Sequence, residues 1–575
     1  MAEFEELTGV DAWSMLVGSV TMVTIFTGLM TWPVCALVLW RYRRAVDAGM
    51  RRSTSRPLPG PAAALQPPPS AASASLRRTP LVDVVLEDRP PLLLRARRNA
   101  RRARVAFGVA GLLFGVASTS VYVAVEGLHW APVRTVSLVL ILGWLVVPSV
   151  IAQGLFSRRA QLGAYAGYLG VILALPVLGG TSVVESLLLL VVVVLLPGAF
   201  VLATGIRALR GAAWLVAPVL AMGGLAVLAL YPAALHVYYR VPFTGVVWWL
   251  LGLAVLLVAV CVAYSVGVAA LYTRKWTSDQ SLLVLQWWFV LALSQVLLLS
   301  TQGPSAAALA LIPFLVMVVF LAGAALLRRS APPPPVRLLL LRTFGARQRS
   351  TRLLRDVTAQ WRWIGSVELI TGTDVATEVL EPHEFLDFLR RRLASHFVAD
   401  VDQVAKRAQE LDLLPDRDGR YRVNDLLCHT DTWQPMVQAL LDDVDAVLVD
   451  LRGLTAHNGG VLAEIEYLVA SVPLHEVVAV LDESTDLWVL QEVLDQAAGA
   501  APVSSPLHAD SSPALRVVRL SGRRSADVTR VLSAVARAAE GPLRAAPPVL
   551  GGAAVTSVPH GRTPVADRPH ATTDG

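Results

Sequence analysis

The sequence predicts a multi-pass α-helical membrane domain followed by a C-terminal α/β domain with a mostly parallel sheet. The chain is 55% hydrophobic and only 16% charged, which is too apolar for an ordinary soluble enzyme. Charged residues are few between residues 105 and 327, whereas the region after Arg328 has the mixed charge of a soluble domain. After residue 336, short apolar runs alternate with stretches of helical spacing, which is the pattern of an α/β domain.

Nine apolar runs are long enough to cross a bilayer, which needs about 20 residues in a helix. The first run has no positively charged segment before it, so we interpret it as a retained membrane helix within residues 1–40 and not as a cleavable signal peptide. The other eight form a predicted bundle within residues 105–329. The predicted spans are 14–40, 105–125, 135–156, 161–180, 184–206, 212–235, 246–272, 282–300 and 306–327.

Arginine and lysine in the loops predict the orientation, because positive residues are enriched on the cytoplasmic side. One set of alternate loops holds only Arg134 and Arg240, so we place that set and the N-terminus outside and everything after Arg329 in the cytoplasm. Lysine occurs only at Lys275 and Lys406. This bias towards arginine is associated with GC-rich bacterial genomes, so the expected location is the bacterial plasma membrane. The cytoplasmic loops contain Arg41, Arg43, Arg44, Arg158, Arg159, Arg207, Arg210, Arg274, Lys275, Arg328 and Arg329.

The predicted spans carry almost no ionisable side chains, which argues against a transporter of ions or protons. Glu185 is the one acidic residue within a span, and it lies near a predicted outer end. Scattered polar residues such as Gln286 and Gln295 are interpreted as donors and acceptors between helices. Three widely separated cysteines offer neither a disulfide framework nor zinc spacing, so no metal site is predicted.

Between the first and second spans, residues 41–104 form a cytoplasmic loop that we predict to be disordered, because it is rich in Pro, Ala and Ser. Its distal end carries six arginines directly before a span. These arginines fit two interpretations, a topological signal under the positive-inside rule and a binding surface for anionic lipids. They are Arg95, Arg97, Arg98, Arg101, Arg102 and Arg104.

The cytoplasmic part begins after a proline spacer at 330–335 and is predicted to be one α/β domain over residues 336–545. Its strands are near-continuous apolar runs, as expected where helices cover both faces of a parallel sheet. A tail at 546–575 is predicted to be disordered. Predicted strands are 336–342, 367–371, 445–453, 476–482 and 515–520, and predicted helices include 381–397, 432–443, 459–471, 485–498 and 524–540.

Ligands of open parallel sheets bind beyond the carboxyl ends of the strands, so the candidate site is built from the residues that follow each strand. Phe344 offers a stacking face, the arginines match phosphate, and the turn "HNGG" before a helix presents backbone N–H groups to an anion. The turn "PDRDGR" at 415–420 lacks the downstream ligands of a calcium loop and is interpreted as an ordinary turn. The predicted binding residues are Arg342, Phe344, Gly345, Asp374, Asp450, Arg452, Asn458 and Gly460.

This arrangement resembles the Toll/interleukin-1 receptor (TIR) domain and the related nucleoside 2-deoxyribosyltransferases. "LLLLRTFG" looks like the family's first strand, with Thr343 and Phe344 at its hydroxyl-aromatic ending, and "NGGVLAEIEYL" is similar to the turn-and-glutamate pattern. The resemblance implies a flavodoxin-like sheet, NAD or another nucleotide as ligand or substrate without a required cofactor, and Glu464 as the catalytic carboxylate acting on the ribose carbon. It also implies that self-association can control activity.

Two functions from different classes remain open on the sequence. In the first, the domain cleaves the N-glycosidic bond of NAD or a related nucleotide in signalling or defence, since a carboxylate stabilises an oxocarbenium-like state. In the second, it is a noncatalytic nucleotide-binding or self-association module anchored in the membrane. Glu464 then only complements a helix N-terminus. The net charge of +7 does not indicate a nucleic-acid partner, because much of the arginine serves membrane topology.

Overall fold

The computed structural model describes a set of apolar helices joined to an α/β domain. The predicted spans 135–156, 184–206 and 212–235 and the tail 546–575 lie outside the residues it describes, as do most of 14–40 and more than half of 161–180. The described residues are 33, 35–52, 79–84, 90–126, 160, 162–167, 170, 174, 243–300, 302, 304–327, 335–342, 349–371, 380, 382–509, 513–522 and 524–541.

The α/β domain is built on a sheet of eight strands, all parallel to their neighbours. The strand order is β1-β8-β7-β6-β2-β3-β5-β4. Counted over the five strands that the sequence predicts, this order is 2-1-3-4-5, one of the common doubly wound orders. The strands are β1 (Leu81–Asp83), β2 (Leu338–Arg342), β3 (Val367–Ile370), β4 (Phe397–Val398), β5 (Val423–Cys428), β6 (Ala446–Asp450), β7 (Val477–Leu481) and β8 (Leu515–Arg519).

Fourteen helices are named below, with three short 3-10 helices at Leu393–His396, Val401–Gln403 and Leu474–Glu476, and a further helical stretch is described at 162–167. Those of the apolar part and the segments next to it are α1 (35–50), α2 (Pro91–Glu126), α3 (Phe243–Thr273), α4 (Asp279–Ser300), α5 (Pro304–Leu309) and α6 (Ile312–Leu327). Those of the α/β domain are α7 (Arg349–Trp361), α8 (Pro382–Leu389), α9 (Val404–Gln409), α10 (Trp433–Leu441), α11 (Gly459–Ser471), α12 (Leu487–Ala500), α13 (Pro506–Ala509) and α14 (Arg524–Ala539).

Helices cover both faces of the sheet, which explains why its central strands are apolar at every position. Alternate residues of β2 point to opposite faces, so Leu339 and Leu341 join one core and Leu338 and Leu340 join the other. The first core contains residues of α10, α11 and α12. The second contains residues of α7, α14 and the beginning of α2. The beginning of the long helix α2 is therefore part of the hydrophobic core of the α/β domain.

The structure differs from the sequence expectations at three places. Residues 41–104 were expected to be disordered, but in the described part of this range α1 continues to residue 50, Leu81–Asp83 pairs with β8, and α2 begins at Pro91, while 53–78 and 85–89 lie outside the described residues. The helix predicted over 381–397 is shorter, because α8 ends at Leu389 and the chain continues into a 3-10 turn and β4. β4 and β5 extend the sheet beyond β3 at an edge where no strand was predicted.

Among the described residues, two helices are long and apolar enough to cross a membrane, Pro91–Val125 and Ser305–Leu327. The predicted spans 246–272 and 282–300 also fall on helices, α3 and α4. The apolar part of α2 packs against α4 and α6 through Phe114, Trp288 and Met317, all fully buried. The count of nine spans remains a prediction.

The turn at residues 272–281, between the apolar helices α3 and α4, is hydrogen-bonded to the domain segment 412–422 that leads into β5. The main-chain N–H of Arg417 donates to the carbonyl of Lys275, whose backbone has a positive φ of 59°. Asp418 accepts hydrogen bonds from the hydroxyls of Ser278 and Ser281 at 2.6 and 2.8 Å. Because segments that precede parallel strands lie at one edge of the sheet, the turn docks at the amino edge.

Candidate functional site

The topological switch point of the sheet lies between β2 and β6. The chain leaves β2 towards β3 on one side and returns to β6 on the other, and a crevice forms beyond the carboxyl ends at such a point. Arg342 ends β2, Asp450 ends β6, and the two are register partners. Both are buried, with 3% and 1% of their surface exposed. The strand-end rule therefore locates two of the predicted residues side by side.

Glu464 lies on the face of α11 that packs on the sheet, together with Val461, Ile465 and Leu468. Only 3% of its surface is exposed, and within the described part of the chain its Oε2 atom has no hydrogen-bond partner. Burial raises the pKa of Glu464 to about 8, and the charge of Arg342 acts in the opposite direction. A carboxyl group of this kind differs from an ordinary helix-start glutamate, which remains in water.

Glu466 provides the comparison within the same helix. It is half-buried and lies two residues on, about 200° further around the helix axis. The two glutamates thus have different surroundings although they are close in sequence. The pattern predicted that Glu464 and not Glu466 belongs to the site, and α11 buries the first side chain and leaves the second half-buried.

Arg452 is held by a buried carboxylate. Its Nε and Nη2 atoms donate to the two oxygens of Asp450 at 2.8 and 2.6 Å. Burial disfavours the charged guanidinium, but the hydrogen bonds and charge of Asp450 outweigh it and raise the pKa of Arg452 above its ordinary value. An anion that approached Arg452 would compete with Asp450. The predicted role of this arginine as a direct phosphate ligand is therefore less well supported than its role in fixing the loop after β6.

The turn before α11 is open to solvent. Asn458 occupies the N-cap, but its side-chain oxygen accepts from the N–H and hydroxyl of Thr455 at 2.8 and 2.9 Å and does not cap the helix. A Cβ atom built on Gly459 or Gly460 would meet nothing within 4 Å. Within the described residues no acceptor faces the N–H groups of these two glycines. The start of α11 is thus accessible to an anion.

Thr343, Phe344, Gly345 and Asp374 lie outside the described residues, in the segments 343–348 and 372–379 that follow β2 and β3. Their predicted roles are neither supported nor contradicted by geometry.

The loop after β7 also contributes to this edge, which the sequence interpretation missed. The N–H of Asp486 donates to the carbonyl of Leu454, and the hydroxyl of Thr485 donates to the carbonyl of Leu451, both at 3.1 Å. These bonds fix the loop that carries Arg452. The sequence could have indicated this loop by its position, because "DESTD" directly follows a predicted strand.

The chemistry of the edge is that of a carboxyl group beside a cation, next to an accessible helix start. No group of three or more His, Cys, Asp or Glu side chains is arranged to hold a metal ion within the described part of the chain. No family model, curated protein or solved structure matches this sequence.

Proposed function

We propose that this protein is a multi-pass protein of the bacterial plasma membrane whose cytoplasmic α/β domain binds a nucleotide such as NAD at the carboxyl edge of its sheet. In this proposal Glu464 acts on the ribose carbon and the N-glycosidic bond is cleaved, in signalling or defence. The observation that carries the proposal is the position of Glu464. It is a buried carboxyl group beside Arg342 at the switch point, with an oxygen that has no hydrogen-bond partner in the described part of the chain.

The energetics of Glu464 support a functional role. An unsatisfied buried polar group costs about 1–3 kcal/mol and seldom persists without a reason. A raised carboxyl pKa in a crevice is also a general mark of functional sites. A leucine would fill this position of α11 without that cost.

The electrostatics suit an N-glycosidic reaction. A ligand with positive charge, such as a nicotinamide ring or the oxocarbenium-like state that follows, lowers the pKa of a neighbouring carboxyl group. The ionised carboxylate then stabilises the developing charge on the ribose carbon or traps it covalently. Because the free pKa of Glu464 is about 8, we expect activity at low ligand concentration to rise with pH up to that value.

The doubly wound order 2-1-3-4-5 supports the flavodoxin-like, TIR-like part of the proposal. The TIR-like assignment rests on this order together with the two short motifs, "LLLLRTFG" and "NGGVLAEIEYL". The extra strands β4 and β5 enlarge the sheet on the side away from β6 and leave the switch point unchanged.

Apolar side chains on the outside of the helices support the membrane assignment. Leu112 of α2, Val255 of α3 and Val319 of α6 are 56%, 62% and 70% exposed. Large apolar side chains exposed on three helices are expected where lipid and not water surrounds the helices. Two of these three helices also meet the length and hydropathy expected of a span.

The test is base release by the full-length protein in lipid nanodiscs. The protein is incubated with NAD and a panel of nucleosides and nucleotides, and released base is followed by chromatography. The Glu464→Gln variant should bind ligand and release nothing, whereas the matched Glu466→Gln variant should retain activity. Equal release by wild type and Glu464→Gln would refute the catalytic assignment.

The second candidate function is a noncatalytic binding or self-association module. The observation that favours it is the ion pair between Arg452 and Asp450. Because of this pair, fewer arginine side chains are left to bind a phosphorylated substrate. Under this alternative, assembled wild-type protein binds nucleotide with no base release. Ligand binding then differs little between wild type and Glu464→Gln.

A further inference from the structure

The juxtamembrane arginines occupy one helix with the adjacent apolar segment. α2 runs without interruption over 36 residues, from Pro91 to Glu126. Its first fourteen residues carry all six arginines of the cluster, and the apolar segment follows at Val105. The position of each arginine relative to the membrane boundary is therefore fixed by helix geometry, with a rise of about 1.5 Å per residue.

One face of this arginine-bearing half is bound to the α/β domain. Leu93, Ala96 and Ala103 are buried in the domain core, with exposed fractions of 8%, 6% and 1%. Asn99 donates to the carbonyl of Trp363 at 3.3 Å. These contacts fix the rotation of the helix about its own axis, so the direction of every other side chain follows.

Two of the six arginines are used within the protein. Arg95 is hydrogen-bonded to Tyr421, and Arg104 donates from Nε to the carbonyl of Ala100 at 3.4 Å. The remaining four, Arg97, Arg98, Arg101 and Arg102, are exposed. Among the described residues none of these four forms an ion pair.

The four exposed arginines form a single face. At about 100° per residue they cover an arc of about 140°, whose centre lies about 150° from the centre of the buried stripe. They will be called the arginine face. Four like charges within two helical turns repel one another, so the face gains from a polyanionic surface.

The distance of the arginine face from the membrane matches the headgroup layer. Bilayer dimensions leave about 5–8 Å for the headgroups on each side of the hydrocarbon core. Arg102 and Arg101 lie about 4.5 and 6 Å along the axis from Val105. Arg98 and Arg97 lie one turn further, within reach of the same layer because long arginine side chains extend towards the interface.

We propose that the arginine face binds the phosphate groups of anionic phospholipids in the cytoplasmic leaflet. This inference rests on the proposed membrane location of the apolar half of α2, which keeps the arginine face at the membrane surface and selects lipid as the occupant. Arginine forks also match phosphate oxygens in a bidentate manner. The domain is thereby held to the leaflet on one side of α2 while its core packs on the other.

The test measures lipid retention by the full-length protein. Wild type and variants are purified in mixed micelles that contain phosphatidylglycerol and phosphatidylcholine in equal amounts, and bound lipids are counted by native mass spectrometry. The quadruple variant R97Q/R98Q/R101Q/R102Q should lose its preference for phosphatidylglycerol by on the order of 600-fold, and single variants by about fivefold each. Retention should weaken as salt increases.

The matched control removes four positive charges elsewhere, in R390Q/R391Q/R392Q/K406Q, whose side chains are exposed on the domain surface. This control should retain the preference of wild type. A quadruple lysine variant of the arginine face keeps the charge and the topology signal, so it remains measurable if the glutamine variant fails to insert. It should keep most of the preference but lose part of it.

Equal retention of phosphatidylglycerol by wild type and the quadruple glutamine variant would overturn the proposal. So would an equal loss in the control variant, because net charge and not the arginine face would then be responsible. Loss of RNA or DNA oligonucleotide binding in the glutamine variant, with lipid preference unchanged, would also contradict it and assign the face to nucleic acid.

Discussion

Replacement of Glu464 by glutamine tests the electrostatics of the candidate site without the need for a substrate. Burial raises the pKa of Glu464 from its ordinary value of 4.5 to about 8, and the charge of Arg342 offsets only part of that effect. A pKa shift of this size corresponds to about 5 kcal/mol of folding free energy. This stability is lost when the pH is high enough that the carboxylate is ionised in the folded protein. Glutamine keeps the shape of the side chain and removes this cost.

The sign of the pH dependence follows from the direction of the shift. The folded state binds the proton more tightly than the unfolded state, so stability is greatest below pH 4.5 and falls as the pH rises towards about 8. Wild type and Glu464→Gln should therefore melt at similar temperatures near pH 5. Above pH 8 the variant should be more stable by on the order of 10 °C, at about 2–4 °C for each kcal/mol.

Melting is followed by circular dichroism in nanodiscs between pH 5 and pH 9. Glu466→Gln, which makes the same chemical change two residues along α11, should follow the wild-type curve. Parallel curves for wild type and Glu464→Gln over the whole range would refute the burial argument. They would also remove the main support for a functional carboxyl group at this position.

Three further substitutions test the packing of the domain and its contact with the apolar helices. Gly365→Ala would place a Cβ atom 1.7 Å from the carbonyl oxygen of Val336, so we expect at least about 3 kcal/mol of destabilisation in thermal unfolding. Gly460→Ala adds its Cβ in open space within a helix and should be neutral or stabilising by up to about 1 kcal/mol. Asp279→Asn breaks a pair with Arg362, which donates to both carboxylate oxygens at 2.7 and 3.2 Å. Because Asp279 is 38% exposed, the loss should be about 1–3 kcal/mol, with faster hydrogen exchange in 412–422.

The strands that the sequence predicts are those whose own residues are apolar enough to indicate a buried strand. Runs such as "LLLL" and "VVAVL" are apolar on both faces, and both become buried central strands. β5 was not predicted, because Asn424 and Asp425 interrupt the apolar pattern of its sequence. Asn424 is satisfied by the main chain of Asp412, a contact that no periodicity indicates. β1 has only three residues and exists through pairing with β8, more than 400 positions later.

The candidate site likewise contains features that the sequence predicts and features that it does not predict. The rule that ligands bind at strand ends correctly brings Arg342 and Asp450 together, because it depends only on strand order. It gives no information on how buried Glu464 is or that Arg452 is held by Asp450, since both depend on side-chain packing. The turn at 415–420 shows a similar limit. Gly419 has a positive φ of 88°, as a turn predicts, but its neighbour Asp418 bonds to Ser278 and Ser281 from a distant helix turn.

The amino edge of the sheet contacts the apolar helices, whereas the carboxyl edge carries the candidate site. An experiment on the domain alone therefore removes the contacts of the amino edge. The amino edge is fastened to the apolar helices by buried groups such as Arg362, whose bonds to Asp279 hold the start of α4 against the segment before β3. The carboxyl edge, about 17 Å away along a five-residue strand, carries the candidate site. A fragment limited to residues 336–545 would lose β1 and the core contacts of α2, and it would leave Arg362 without its carboxylate partner Asp279. Such a fragment should therefore melt at a much lower temperature than the full chain. A lack of activity in the fragment would then result from its lower stability and would give no information on the chemistry of Glu464.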